Sequence, residues 1–180
     1  MASQQKFIVE LSKKYNEDEL TAISQEIIDY VIKRTQEGKG IGSKPWSGNA
    51  SVYSKAYENS LDFKIAGKKK GQVVNLTLSG DMLSLLDTLS VNKGKIVIGY
   101  PSGDSVNGKV EGNVKGTYGQ KSPIPGKARN FMGITKTELR EILSKYPLND
   151  DEKRSDRTDQ VLTAIEEATT YQDEVLAEES

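Results

Sequence analysis

The spacing of hydrophobic and polar positions along the chain changes several times, and each change predicts an element. Phe7, Val9 and Leu11 alternate with Ile8, Glu10 and Ser12, which reads as a short edge strand or an extended arm. Asn16 and Glu19 then form an N-cap with its capping-box partner, and Leu20, Ile23, Ile27, Tyr30 and Val31 recur at helical spacing as far as Gly38, a left-handed cap. Tyr53, Tyr57, Leu61 and Phe63 predict a helical turn running into a strand at Leu61–Ala66. Gly67–Gly71, GKKKG, reads as a tight basic hairpin, with Val73–Leu78 returning as the partner strand and Val74, Leu76 and Leu78 on one face.

Ser79 is positioned to cap a short helix over Gly80–Leu86, with Met82, Leu83, Leu85, Leu86 and Leu89 as its apolar side. Ile96 and Ile98 predict a strand at Lys95–Tyr100, and the glycine-rich Pro101–Gly116 reads as a long exposed loop. Thr135 and Glu138 form a second capping box, opening a helix over Lys136–Tyr146 that Pro147 ends. Together these elements predict an α+β fold: a long N-terminal helix packed on a mainly antiparallel sheet, with shorter helices added. Residues 1–146 form the core, and residues 147–180 an acidic, partly helical extension.

Composition narrows the chemistry. The 180 residues contain no cysteine and no histidine, which excludes disulfides, thiolate metal sites and the commonest general base. An enzyme would have to work through Asp, Glu, Lys or Tyr, and no Walker loop, G-x-S-x-G elbow or H-E-x-x-H pattern is present. Asp81 and Asp87 fit acids near a helix N-terminus better than a catalytic pair. No cofactor, metal or catalytic site is therefore expected. No apolar run approaches the length of a membrane span, and the start MASQQK lacks a hydrophobic centre, so a soluble protein is expected.

The net charge of −1 conceals a division. Residues 1–146 hold 22 Lys+Arg against 15 Asp+Glu, net +7, whereas residues 147–180 hold 3 against 11, net −8. Such a division favours contact between copies, or a body that faces DNA while its tail meets a partner; it also fits an ordinary solvated surface with an acidic terminus. Within the extension, Val161, Leu162, Ile165 and Ala168 suggest a short amphipathic helix that folds back on the core or docks on a neighbour.

Three further places are candidate interfaces. Trp46, the only tryptophan, sits behind Pro45 in a glycine-rich loop, where it either anchors a partner or closes the end of its own core. Lys68, Lys69 and Lys70 at the GKKKG tip either approach DNA phosphates or keep an edge strand soluble. The densest signal is Gly116–Thr135, GTYGQKSPIPGKARNFMGIT. Pro123 and Pro125 stiffen its first half, and Lys127, Arg129 and Phe131 alternate so that an extended chain turns all three to one side, as a surface platform or with Phe131 plugging the core and the cations solvated.

The IPGKARNFMGIT segment is similar to the P-x-R-x-F-L-G-(I/L)-(S/T) signature of tailed-phage neck and tail-completion proteins, with Met132 where leucine is commoner. Upstream, YSKAYENSLDFKIAGKKKGQVVNLTLSGDMLSLL resembles the central region of the same family, so the likeness runs in order over about Lys44–Tyr146. The resemblance implies a structural virion protein, not an enzyme. It implies a homo-oligomeric ring at the head-to-tail joint that contacts other neck, connector or tail proteins. DNA passing through such a ring would be touched without sequence preference. The protein would be made in the host bacterial cytoplasm. The alternative is a small basic DNA-associated phage protein whose acidic tail screens its own body.

Overall fold

The computed structural model describes residues 3–11, 15–76, 81–118 and 120–147. Its centre is a three-stranded antiparallel sheet of β1 (Lys6–Glu10), β2 (Asp87–Asn92) and β3 (Lys95–Gly99), in the order β1-β3-β2. Phe7 lies opposite Ile98 and Val9 opposite Ile96, so these four apolar side chains share one face, and all are buried. Helix α1 (Glu17–Gln36) covers that face with Leu20, Ile23, Ile27 and Val31. Its start is the predicted capping box, in which the Asn16 side chain accepts from Glu19 N while Glu19 accepts from Asn16 N, each at 2.9 Å. A contact of 2.5 Å between Ser24 Oγ and Thr88 Oγ1 ties the same helix to β2. The α+β class and the helix-on-sheet arrangement stand as the sequence predicts.

β2 is a strand where the sequence predicted only the end of a leucine-rich helix. That helix, α4, is confined to Asp81–Ser84; Leu89 lies in β2, and Leu85 is exposed. The strand pair is closed by the two residues Lys93 and Gly94, both with positive φ (47° and 83°), the combination that a tight type I′ hairpin needs. Ser79, Gly80 and Leu78 lie outside the described residues.

The helical turn expected around Tyr53 and Tyr57 is α2 (Lys55–Glu58), but the first strand of the predicted GKKKG hairpin is replaced by a second short helix, α3 (Leu61–Ile65). Leu61, Phe63 and Ile65 mimic strand alternation, but Ser60 Oγ accepts from Phe63 N and starts a helical turn. Only Phe63 is buried; Leu61 and Ile65 are 69% and 74% exposed. Residues 72–76 form no strand. They keep the predicted sidedness, with Val74 and Leu76 buried and Val73 exposed.

The loop expected over Pro101–Gly116 contains α5 (Val106–Lys115). Asp104 Oδ1 accepts from Val106 N, and Asn107 Nδ2 donates to Pro101 O at 2.8 Å while its Oδ1 accepts from Gln5 N at 2.8 Å. A buried asparagine thus joins the start of α5 to the segment leading into β1. Gly116 ends α5 with φ 72°, and an added Cβ would stand 2.8 Å from Ala128 N, so the following segment crosses the helix end in direct backbone contact.

Helix α6 (Lys136–Leu143) stops three residues short of the predicted Tyr146 and buries Leu139 and Ile142. Beyond it, Tyr146 Oη donates to Glu26 Oε1 at 2.8 Å and Tyr15 Oη donates to Tyr146 O at 3.3 Å. Among the described residues no helix is long and apolar enough to cross a membrane. The acidic extension, including Val161, Leu162 and Ile165, lies outside the described residues apart from Pro147.

Phe131, fully buried in the core, tests the packing of this fold. Phe131→Ala is expected to cost about 3–5 kcal/mol, read as a lower denaturation midpoint in urea. An unchanged midpoint would show that the side chain does not fill the core.

Candidate functional site

The Gly116–Thr135 segment first folds back on itself. Ile124 N donates to Gly116 O at 2.9 Å, and Lys127 N donates to Ile124 O at 3.1 Å. Pro125 and Gly126, the latter at φ 68°, occupy the two central places of that turn, as a type II turn prefers. The stiff prolines therefore enter a turn before the chain extends. Pro123 and Pro125 are themselves exposed.

From Lys127 onward the predicted alternation holds, but its direction is inward. Phe131 is buried in the core, Arg129 is buried and Lys127 half-buried, while Ala128 and Asn130 face solvent. The expectation of solvated cations therefore fails at Arg129. Its Nε donates to Ala50 O at 2.7 Å, its Nη2 to Val52 O at 3.3 Å, and its Nη1 to Asn113 Oδ1 at 3.3 Å and to the Tyr118 hydroxyl. The guanidinium also lies 5.5 Å from the Tyr118 ring centroid. Burial lowers its pKa, opposed by Tyr118 and Tyr53; an arginine starts so high that it remains cationic. Lys127 is likewise lowered, first by burial and then by the charge of Arg129.

Phe131 and its neighbours are held from the other side by Arg34, in the last turn of α1. Arg34 Nη2 donates to Phe131 O at 2.8 Å and to Gly133 O at 2.5 Å, and Nη1 pairs with Glu138 Oε2 at 2.9 Å. Glu138 also accepts from Thr135 N at 2.9 Å, from Ser43 Oγ at 3.0 Å and from Gly42 N at 3.3 Å. Burial alone would raise the Glu138 pKa; the Thr135 backbone, the Arg34 charge and the Ser43 and Thr135 side chains outweigh it and hold the carboxyl below its ordinary value. The capping-box glutamate is thus also the counterion of a buried arginine.

Trp46 is half-buried and packs against the core, with its backbone N–H donated to Gly38 O at 3.0 Å. This packing fits the core-closing alternative. Its buried indole N–H has no hydrogen-bond partner in the protein.

The three lysines separate. Lys68 is half-buried, with its ammonium 4.6 Å from the Tyr53 ring centroid and donating to Asn75 Oδ1 at 2.7 Å and to the Tyr53 hydroxyl. Lys69 is exposed, and the exposed Lys70 donates to Asn59 Oδ1 at 2.9 Å. A solvated triplet at a hairpin tip is therefore corrected to two surface lysines and one packed against an aromatic cluster. In that cluster Tyr53, Tyr57 and Phe63 meet in tilted and edge-to-face contacts with centroids 5.3–5.6 Å apart.

Between this cluster, α5 and the Gly116–Thr135 segment lies a cleft of about 900 Å³. Tyr53, Tyr57 and Tyr118 line it together with the cations Lys109, Lys127 and Arg129, and Leu76, Met82 and Ile124 supply apolar surface. Among the described residues no acidic side chain lines it. Sequence reasoning singled out Lys127 and Arg129 but missed their partners, among them Ala50 and Val52, which lie 75 to 79 positions away, and Tyr118 and Asn113. Among the described residues no group of acidic side chains is arranged to hold a metal ion.

No protein-family model matches the chain, and neither a curated protein nor a solved structure matches it.

Two outcomes test these contacts. Glu138→Gln removes the counterion of a buried guanidinium and is expected to cost about 3–5 kcal/mol at pH 7. Because Glu138 titrates lower folded than unfolded, its contribution is present above its unfolded pKa of about 4.3 and is lost as pH falls through the folded value. The parent should therefore lose melting temperature more steeply than the variant as pH falls below about 4.3, the unfolded value; parallel profiles would refute the assignment. At the basic run, Lys69→Glu with Lys70→Glu should leave melting within about 0.5 kcal/mol of the parent, whereas Lys68→Glu should lower it clearly. Equal melting of all three proteins would return Lys68 to the solvated surface.

Proposed function

We propose that the protein is a structural component of a tailed-phage virion that forms a homo-oligomeric ring at the head-to-tail joint. The observation that carries this role is the IPGKARNFMGIT segment, whose resemblance to the neck and tail-completion signature falls on residues that hold the body together: Arg129, Phe131 and the Thr135–Glu138 cap. A signature explained by packing fits a protein that works by shape rather than by catalysis. In this role it has no catalytic residues and no cofactor, and its partners are further copies of itself and other neck, connector or tail proteins.

Two surface features are suited to such contacts. The sheet order β1-β3-β2 leaves the outer edges of both β1 and β2 without a strand partner among the described residues. Leu61 and Ile65, one turn apart on α3, present adjacent exposed apolar side chains. The net charge of +7 over residues 1–146 suits a ring through which DNA passes. The same charge favours a second role, a monomeric DNA-associated protein with an acidic screening tail.

The full-length protein is expected to give a closed annular oligomer by native mass spectrometry and electron microscopy, with weak DNA affinity. In intact particles the same fold should lie at the head-to-tail joint. Leu61→Lys with Ile65→Lys should reduce the oligomer to monomer while leaving monomer stability within about 0.5 kcal/mol. A monomer at all concentrations that binds DNA with a steep salt dependence would replace the ring by the DNA-associated role.

A further inference from the structure

We propose that the tyrosine-lined cleft receives the chain's own segment Val161–Ala168, folded back onto the body of the same molecule. This goes beyond the ring and stands whether or not the protein belongs to a virion neck.

The cleft selects its occupant by chemistry. Lys109, Lys127 and Arg129 place three cations on its lining, no acid faces them among the described residues, and the hydrogen-bond partners of Arg129 are all neutral. Tyrosines and apolar side chains make up much of the remaining wall. A fitting ligand carries carboxylates beside an apolar stripe. The segment VLTAIEEA has both: Val161, Leu162, Ile165 and Ala168 recur at helical spacing, and Glu166 and Glu167 adjoin them. It belongs to a stretch of net charge −8, opposite in sign to the body.

Size and tether are compatible. As a helix the eight residues would be about 12 Å long, a piece that a cleft of about 900 Å³ can seat along one face. Residues 148–160 form a tether of about 45 Å when extended, against a radius of gyration of about 15 Å for a body of this length. The tether therefore spans much of the surface of its own body. Intramolecular docking also sees an effective concentration on the order of millimolar, well above that of a second copy in dilute solution. Occupancy would cover the aromatic wall and neutralise part of the basic body before another partner arrives.

The absence of cysteine allows a direct test in the full chain. Ser105→Cys at the cleft is combined with Ala168→Cys, and cross-linking by a short bis-maleimide is followed on denaturing gels at low protein concentration. The control pairs Ala168→Cys with Asp29→Cys, on the exposed face of α1 and away from the cleft. The cleft pair is expected to cross-link within one molecule at least about tenfold faster than the control, reflecting local concentration. Leu162→Ser with Ile165→Ser should erase that difference, as should raised salt in part. Equal rates for the two pairs would overturn the proposal. Predominant cross-linked dimers would overturn it too, by assigning the cleft to the tail of a second copy.

Discussion

A single buried guanidinium fixes how the three main parts of this fold meet. Arg34 is only 3% exposed and spans from the last turn of α1 to the carbonyls of Phe131 and Gly133 and the carboxylate of Glu138. An unpaired charge in that position would cost several kcal/mol, so every acceptor must be in place for the core to close. Phe131 is thereby held in the core and α6 is set beside α1. Since Glu138 also accepts from Gly42 N and Ser43 Oγ, the loop leading to Trp46 is drawn into the same constraint. One carboxylate therefore couples helix initiation, charge compensation and loop placement.

The parts of the fold that sequence reveals are those whose signals are local. Both capping boxes, the alternation of Phe7, Val9 and Leu11, and the sidedness of Lys127, Arg129 and Phe131 each involve residues within a few positions of one another. α3 misleads because Leu61, Phe63 and Ile65 fit a period of two, while the deciding contact is the Ser60 cap. α5 is hidden differently. Val106, Val110 and Val114 recur at helical spacing, but Gly108 and Gly112 each cost about 1 kcal/mol of helix propensity relative to alanine. Packing reverses that preference, and at Gly112 the absent side chain leaves room for the Tyr118 backbone, 3.2 Å from where a Cβ would stand.

The candidate site was legible only in part for the same reason. Lys127 and Arg129 stand out in the sequence, yet Ala50, whose carbonyl receives Arg129 Nε, lies 79 positions away. Nothing local announces that a tyrosine at 53, an asparagine at 113 and a tyrosine at 118 will converge. The basic run GKKKG misled in the opposite direction, since charge density suggested three equivalent lysines. Tyr53 and Asn75 take Lys68 out of that set and leave its two neighbours at the surface.

The two buried arginines differ in how their charge is answered, and this difference shapes the surface. Arg34 faces a carboxylate, so its site is close to neutral. Arg129 faces carbonyls, an amide and a phenol, which satisfy its hydrogen bonds without cancelling its charge. The phenol also has a preferred direction. Tyr118 accepts from Arg129 and has one proton to give, with Lys127 O at 2.9 Å better placed than Asn113 Oδ1 at 3.3 Å. That arrangement requires the hydroxyl to stay protonated, as burial, opposed by Arg129, favours by raising its pKa. The unanswered positive charge thus cannot be removed by ionising the nearest tyrosine, and it remains at the cleft for an external anion to meet.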